Sequence, residues 1–279
     1  MAEPVSAPSR SRLRWELRAL ASGIALAALL LACAPRPEAP RQVTVAAAAD
    51  LQFALEDILG GFRRAHPTAD IRVVYGSSGN FYTQIRGGAP FDLYLSADIE
   101  YPRRLAREGL AVPESLFTYA VGRIVVWAPA GSPLDVARLG MGALEAPAVR
   151  HVAIANPEHA PYGRAAVAAM KSMGVYDRVS SKLVLGENVA QTLQFVQSGA
   201  ADVGIVALSL ALAPPVRGRG QYWEVPLDAY PAIEQGGAIL ARARRSRLAL
   251  DLRAYLASPA ARDRLKQYGF LPPPSQERH

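Results

Sequence analysis

Val43-Thr44-Val45-Ala46-Ala47-Ala48-Ala49-Asp50-Leu51 is the stretch from which the rest of the chain is read. Its first five residues are apolar and β-branched at the start, the composition of a short strand buried on both faces. From Asp50 onward the period changes. Leu51, Ala54, Leu55, Ile58, Leu59 and Phe62 recur at helical spacing, with Asp50 as the expected N-cap and Pro67 just past the end. Ile71 to Tyr75 reads as the next strand, Gly76-Ser77-Ser78-Gly79 as a tight loop, and a short helix carries Tyr82, Ile85 and Arg86. Phe91 to Leu95 is a third strand, and Ile99 to Glu108 a helix stopped by Gly109. The order β-α-β-α-β-α implies an α/β domain with a mainly parallel sheet.

The middle of the chain repeats the pattern. Strands are expected at 124–127, 151–154, 182–185 and 203–206, and helices at 161–173 and 189–198. The C-terminal stretch reads as two helices, 248–256 and 260–268, with Ser258 as N-cap ahead of Pro259. Two α/β units of about 100 residues fit the length better than one large sheet.

Composition removes several classes. The chain has 279 residues, of which 51% are hydrophobic and 20% charged, too apolar for disorder. Its 22 Gly and 22 Pro follow no period, and the single cysteine, Cys33, excludes a disulfide scaffold. The formal net charge of +7 shrinks on inspection: residues 1–32 hold four Arg and two Glu, and removing them leaves +5. No basic block is interleaved with aromatics, and the one cluster (Arg242, Arg244, Arg245, Arg247) reads as a solvated loop and helix start, so nucleic acid is not an expected partner.

Residues 1–32 read as an export signal. Arg10, Arg12, Arg14 and Arg18 precede an apolar run of fourteen residues, Ala19 to Ala32, short of the roughly 20 that a spanning helix needs. The run ends in Leu30-Leu31-Ala32-Cys33, which resembles the lipobox of bacterial lipoproteins and makes Cys33 the expected lipidation site. Residues 33–41, Pro-rich, then form a tether to the domain.

In open α/β sheets ligands bind where strand ends meet helix starts. Those places here are 47–51, 76–80, 156–163, 186–189 and 207–209. Helix starts present unpaired N–H groups and a partial positive charge, a combination suited to an anion. Enzyme and metal motifs are missing: His66, His151, His159 and His279 have no ligand spacing, and neither a G-x-S-x-G elbow nor a phosphate loop occurs. Glu56, Asp57 and Asp92 read as surface or loop-capping carboxylates. An exported binder without catalysis is the resulting expectation.

Five segments give that expectation a family. Val43 to Leu51 (V-x-V-A-A-A-A-x-L), Tyr75 to Gly79 (Y-G-S-S-G), Gly88 to Asp98 (G-A-P-F-D-L-Y-L-S-A-D), Ala155 to Gly163 (A-N-P-E-H-A-P-Y-G) and Ala201 to Ala207 (A-D-V-G-I-V-A) together resemble the periplasmic molybdate-binding proteins of ABC importers. These belong to the class II periplasmic solute-binding proteins. The resemblance covers about residues 42 to 274 and implies a two-lobed α/β fold, each lobe a mainly parallel sheet flanked by helices, joined by two hinge strands. One lobe would hold 42–122 and 232–279, the other 123–231. It also implies a monomeric receptor that passes molybdate or tungstate to a membrane permease and needs no resident cofactor.

The family holds a tetrahedral dianion with uncharged donors, a sound arrangement because fixed dipoles in a dry cleft need no protonation-sensitive partner. The matching positions are Ala49, Asp50, Ser78, Tyr162 and Val189. Ser78 would give hydroxyl and N–H, Tyr162 and Val189 backbone N–H, and no residue would ligate the metal directly. Many relatives carry a Ser where this chain has Asp50 and a Tyr where it has Ala207. Asp50 is therefore expected to turn away and cap its helix, and the Tyr162 phenol to stand in for the lost hydroxyl. Two other readings stay open: a receptor for another oxyanion such as sulfate or phosphonate, and an enzyme on the same fold with Asp50 as its acid or base.

Overall fold

The computed structural model describes residues 42–273. The export signal, Cys33, the tether and residues 274–279 lie outside that range. The chain starts with β1 (Gln42–Ala48), a single 3-10 turn at Ala49–Leu51, and α1 (Gln52–Ala65), whose Leu55, Ile58, Leu59 and Phe62 are buried. It continues through β2 (Asp70–Gly76), α2 (Ser78–Arg86), β3 (Leu93–Ser96), α3 (Glu100–Arg107) and β4 (Phe117–Gly122). Beyond Arg123 come β5 (Ile124–Pro129), β6 (Val152–Ala155) and α4 (Pro161–Ser172). β7 (Leu183–Gly186), α5 (Val189–Gln197), β8 (Val203–Ala207) and β9 (Gly220–Glu224) follow. The chain ends in β10 (Ile233–Ile239), α6 (Arg247–Leu256) and α7 (Pro259–Gln267).

The strands form two five-stranded sheets, ordered β2-β1-β3-β10-β4 and β7-β6-β8-β5-β9. Four strands of each run in one direction. The reversed strand is β10 in the first and β5 in the second, each next to the edge. The exchange is reciprocal: edge strand β4 of the first sheet leads into β5, and edge strand β9 of the second leads back into β10. These two crossings make the fold two-lobed, with the C-terminal helices returning to the first lobe, where α7 and α6 pack on α1.

Three strands escaped the sequence reading. β9 (GQYWE) is only partly buried, and β10 (IEQGGAI) carries Glu, Gln and two Gly in a strand whose centre is fully covered. Such a segment has neither a period-2 pattern nor a continuous apolar run. The third, β4, pairs with β10 through a register shift at Gln235/Gly236. One local expectation is corrected. Asp50 is not an N-cap: that place falls to Ala48, which makes no side-chain capping bond, and Asp50 lies inside the 3-10 turn, 1% exposed. The turn tightens the chain before α1, so the carboxylate faces inward instead of lying over the helix end.

Close approaches between elements depend on glycine at Gly163. A Cβ there would meet the Ala155 carbonyl group, with its carbon at 2.7 Å, and the Asn156 carbonyl carbon at 2.9 Å. Backbone atoms at the end of β6 cannot move aside, so Gly163 is what lets α4 start directly on its strand. The variant Gly163→Ala should therefore lose about 1–3 kcal/mol, seen as a fall of roughly 2–12 °C in the thermal unfolding midpoint. An unchanged midpoint would show that the helix start shifts without cost.

Candidate functional site

Four chain turns converge on the seam between the lobes. The 3-10 turn after β1, the start of α2, the start of α4 and the start of α5 bound a narrow cleft lined by residues 48–50, 76–78, 97, 160–162 and 188–189. The backbone N–H groups of Ala49, Ser78, Tyr162 and Val189 donate to no protein acceptor among the described residues. They are the donors that a helix start leaves over. Around Val189 the sequence makes this explicit: Asn188 caps α5 by accepting from Ala190 N–H and Gln191 N–H, both at 3.0 Å, and leaves the Val189 N–H open.

Ser78 is fixed by the G-A-P-F-D-L-Y-L-S-A-D segment through Tyr94 and Ala97. The Ala97 N–H donates to Ser78 Oγ at 2.9 Å, and the Tyr94 hydroxyl donates to the Ser78 carbonyl at 2.6 Å. Ser96 Oγ closes the turn beside it, accepting from Asp98 N–H at 3.0 Å. Asp92 ties the far end of β3 by accepting from Thr44 N–H at 2.8 Å. With its oxygen already accepting from Ala97, the Ser78 hydroxyl keeps its hydrogen for a ligand.

The lobes are clasped across this cleft. The His159 carbonyl accepts from Ser77 Oγ at 2.6 Å and from Gly79 N–H at 2.9 Å. Gly79 has to be glycine, since a Cβ would stand 2.7 Å from that carbonyl oxygen. Arg164 reaches over to Asp98 at 2.6 Å, and Ser209 Oγ donates to the Asp50 carbonyl at 2.8 Å. A larger groove follows the same seam past Arg164, but Glu100 and Glu234 line it and it collects only one of the four helix starts. The smaller cleft is the better anion site.

Asp50 is the one acidic residue in the cleft lining. Its carboxylate does not cap the helix. Asp50 Oδ2 accepts from the Tyr162 hydroxyl at 2.9 Å and from Gln235 Nε2 at 2.6 Å, while Gln235 Nε2 also lies 3.0 Å from the Tyr162 oxygen. Burial raises the Asp50 pKa to about 6, against the opposing pull of the Gln235 and Tyr162 hydrogen bonds and its own N–H. Burial, reinforced by the Asp50 charge, pushes the Tyr162 phenol well above its ordinary range. The phenol is thus engaged with Asp50 in this structure. Gly122 makes room for the group, as a Cβ would press on the Tyr162 hydroxyl and come within 2.8 Å of Gln235 Nε2.

The structure brings Ala49, Asp50, Ser78, Tyr162 and Val189 to one cleft. Ser77, His159 and Ser209 lie in loops that the sequence pointed to, although their contacts across the cleft were not foreseen; Gln235 was missed altogether, and its one signal is a polar residue at the centre of Ile233 to Ile239. Among the described residues no cluster of His, Cys, Asp or Glu is arranged to hold a metal ion. Glu56, Asp57 and Asp92 have structural partners: Tyr75 hydroxyl at 2.9 Å, Tyr268 hydroxyl at 2.7 Å and Thr44 N–H respectively.

A hinged pair of α/β lobes with a donor-lined cleft at the seam defines a solute-binding receptor. The chain belongs to the family of bacterial extracellular solute-binding proteins, whose family profile matches residues 43–271. It is 39% identical over 248 residues to the molybdate-binding protein ModA of Azotobacter vinelandii, covering 88% of this chain and 95% of that one. To the molybdate-binding protein ModA of Rhodobacter capsulatus it is 36% identical, covering 90% of this chain and 96% of the relative. The solved structure of the Azotobacter vinelandii periplasmic molybdate-binding protein superposes with a TM-score of 0.77 at 31% identity, over 83% of this chain and 100% of the other.

The raised pKa of Asp50 has a consequence for stability. A carboxyl that holds its proton more tightly when folded binds more protons in the native state between its unfolded value and about 6. Stability is therefore highest at acid pH and falls as pH rises through that window. Asp50→Asn removes the cost, on the order of 3 kcal/mol. The variant should unfold at a higher temperature than the unaltered protein at pH about 8, and at about the same temperature near pH 4. Parallel unfolding curves at all pH values would contradict this.

Proposed function

We propose that this protein is the solute-binding receptor of an ABC importer and captures molybdate, with tungstate as an equivalent cargo, between its two lobes. The observation that carries the reading is the convergence of four helix starts with open N–H groups and the Ser78 hydroxyl on a cleft without Lys or Arg. Each open N–H carries the partial positive charge of its helix. Because the donors are fixed by the fold, little reorganisation opposes binding. Ala49, Ser78, Tyr162 and Val189 donate to the oxyanion oxygens and Asp50 supplies part of the turn; the oxyanion is cargo, and none of these residues ligates the metal. The names of the closely similar relatives support molybdate over other oxyanions.

Size gives the selectivity. Molybdate and tungstate have longer bonds to oxygen than sulfate, so a cleft shaped to them leaves sulfate out of reach of some donors. Each such lost hydrogen bond to a charged group is worth about 1.5–3 kcal/mol. A phosphonate would call for a basic side chain at the cleft, and its lining offers none. Residues 42–122 and 232–279 form one closing half and 123–231 the other, in the manner of a hinge. Residues 1–32 direct export to the periplasm, Cys33 takes a lipid, 33–41 tethers the monomer to the membrane, and the loaded form docks on the permease. Mass spectrometry of protein extracted from membranes tests the anchor directly.

The donor assignment is tested at Val189. Proline is accommodated at the first position of a helix, and the extended Asn188 (φ −147°, ψ 174°) suits a following proline. Val189→Pro therefore deletes one N–H and leaves α5 in place. Titration calorimetry with sodium molybdate should show affinity reduced about 10- to 100-fold, with helix content by circular dichroism unchanged. Heat with sulfate and none with molybdate from the unaltered protein would refute the ligand.

A further inference from the structure

A dianion and a buried carboxylate share this cleft without a cation between them. The groups that face Asp50 are Tyr162 from α4, Tyr119 from β4, Gln235 from β10 and the Ser209 hydroxyl on the Asp50 carbonyl, with Tyr230 behind Tyr162. Burial keeps Tyr119, Tyr162 and Tyr230 neutral. Arg164, the cation on the neighbouring face of α4, is bound to Asp98. Nothing in this set offsets a second negative charge.

The hydrogen-bond count points the same way. Asp50 Oδ1 and Gln235 Oε1 are both buried without a donor. Within this buried cluster the side-chain acceptors outnumber the donors, and buried acceptors left unmatched are costly. A proton on Asp50 Oδ1 turns an acceptor into a donor and removes the charge.

Resting on the reading of the cleft as an oxyanion site, we propose that the protein binds its oxyanion together with one proton, and that Asp50 carries that proton as a neutral carboxylic acid. The balance is simple: ionised Asp50, the dianion and one proton from solvent give the complex of neutral Asp50 with the dianion, and no bond in the ligand changes. Asp50 then acts as a positioning and charge-matching residue; Tyr162 and Gln235 hold it from two segments of chain that meet at the seam. A neighbouring dianion adds like-charge repulsion to the burial that already raises its pKa. The affinity is accordingly highest at mildly acid pH.

Titration calorimetry of the purified protein with sodium molybdate, in paired buffers of different ionisation enthalpy, reads the proton directly. Close to one proton should be taken up per molybdate at pH about 7. The dissociation constant should be flat below about pH 6 and rise about tenfold per pH unit above it, until the pKa of the complex is reached. Asp50→Asn should bind with no proton uptake and a flat profile. Binding by the unaltered protein without proton uptake overturns the proposal and leaves the receptor reading intact; absence of molybdate binding at every pH overturns both. Uptake that persists in Asp50→Asn places the proton on another group and also overturns it. Should that variant fail to fold, the buffer pair on the unaltered protein decides.

Discussion

An ion taken out of water keeps its charge only if fixed dipoles replace its hydration shell, and that requirement organises this molecule. Dipoles that must swing into place would lose in reorganisation what they return in attraction. Here the donors are backbone N–H groups at helix starts, which cannot rotate away, and a serine hydroxyl already fastened by the Ala97 N–H at 2.9 Å. The fold has to bring four such starts within one ion's reach. Parallel strands ending at the same level do this, because each hands its chain to a helix at the same edge of its sheet. Gly79 and Gly163 then permit the last approach, one between lobes and one between helix and strand.

The crossing strands turn this geometry into a device. β4 and β10 pair in the first sheet, and both lead into the second half of the molecule within a few residues of Gly122 and Ile233. Gln235 sits on this hinge, Asp50 on the first lobe and Tyr162 on the second, and a single carboxylate oxygen joins all three. The Tyr162 hydroxyl of the second lobe thus meets the buried Asp50 carboxylate of the first at 2.9 Å.

Much of this was legible in the amino-acid order, for physical reasons that also mark its limits. Strands such as Val203 to Val206 and helices such as α1 announce themselves because one pattern serves one environment. Ser258 was readable for the same reason, as capping is a local act. β10 was not, since its glycines admit close neighbours (a Cβ on Gly237 would touch the Tyr94 carbonyl oxygen at 2.6 Å) and its Gln235 serves a partner 185 residues away in sequence. The direction of the Asp50 side chain was misjudged by reasoning on helix ends alone. An aspartate before an amphipathic run is ordinarily a cap, but here a 3-10 turn displaces it by two positions and Tyr162 supplies a buried partner.

That misjudgement shows where local rules give way. A carboxylate beside an anion site is unfavourable when each group is counted singly, and turning it outward seemed the only remedy. Counting hydrogens over the whole cluster leads elsewhere. Asp50, Tyr162 and Gln235 present more acceptors than donors, and the deficit is met by a proton from solvent. The unfavourable term is then the ionised form alone, and burial suppresses that form. A serine at this position would be a donor at every pH. An aspartate is a donor only when protonated, so in the proposed scheme capture of the oxyanion follows the acidity of the surroundings.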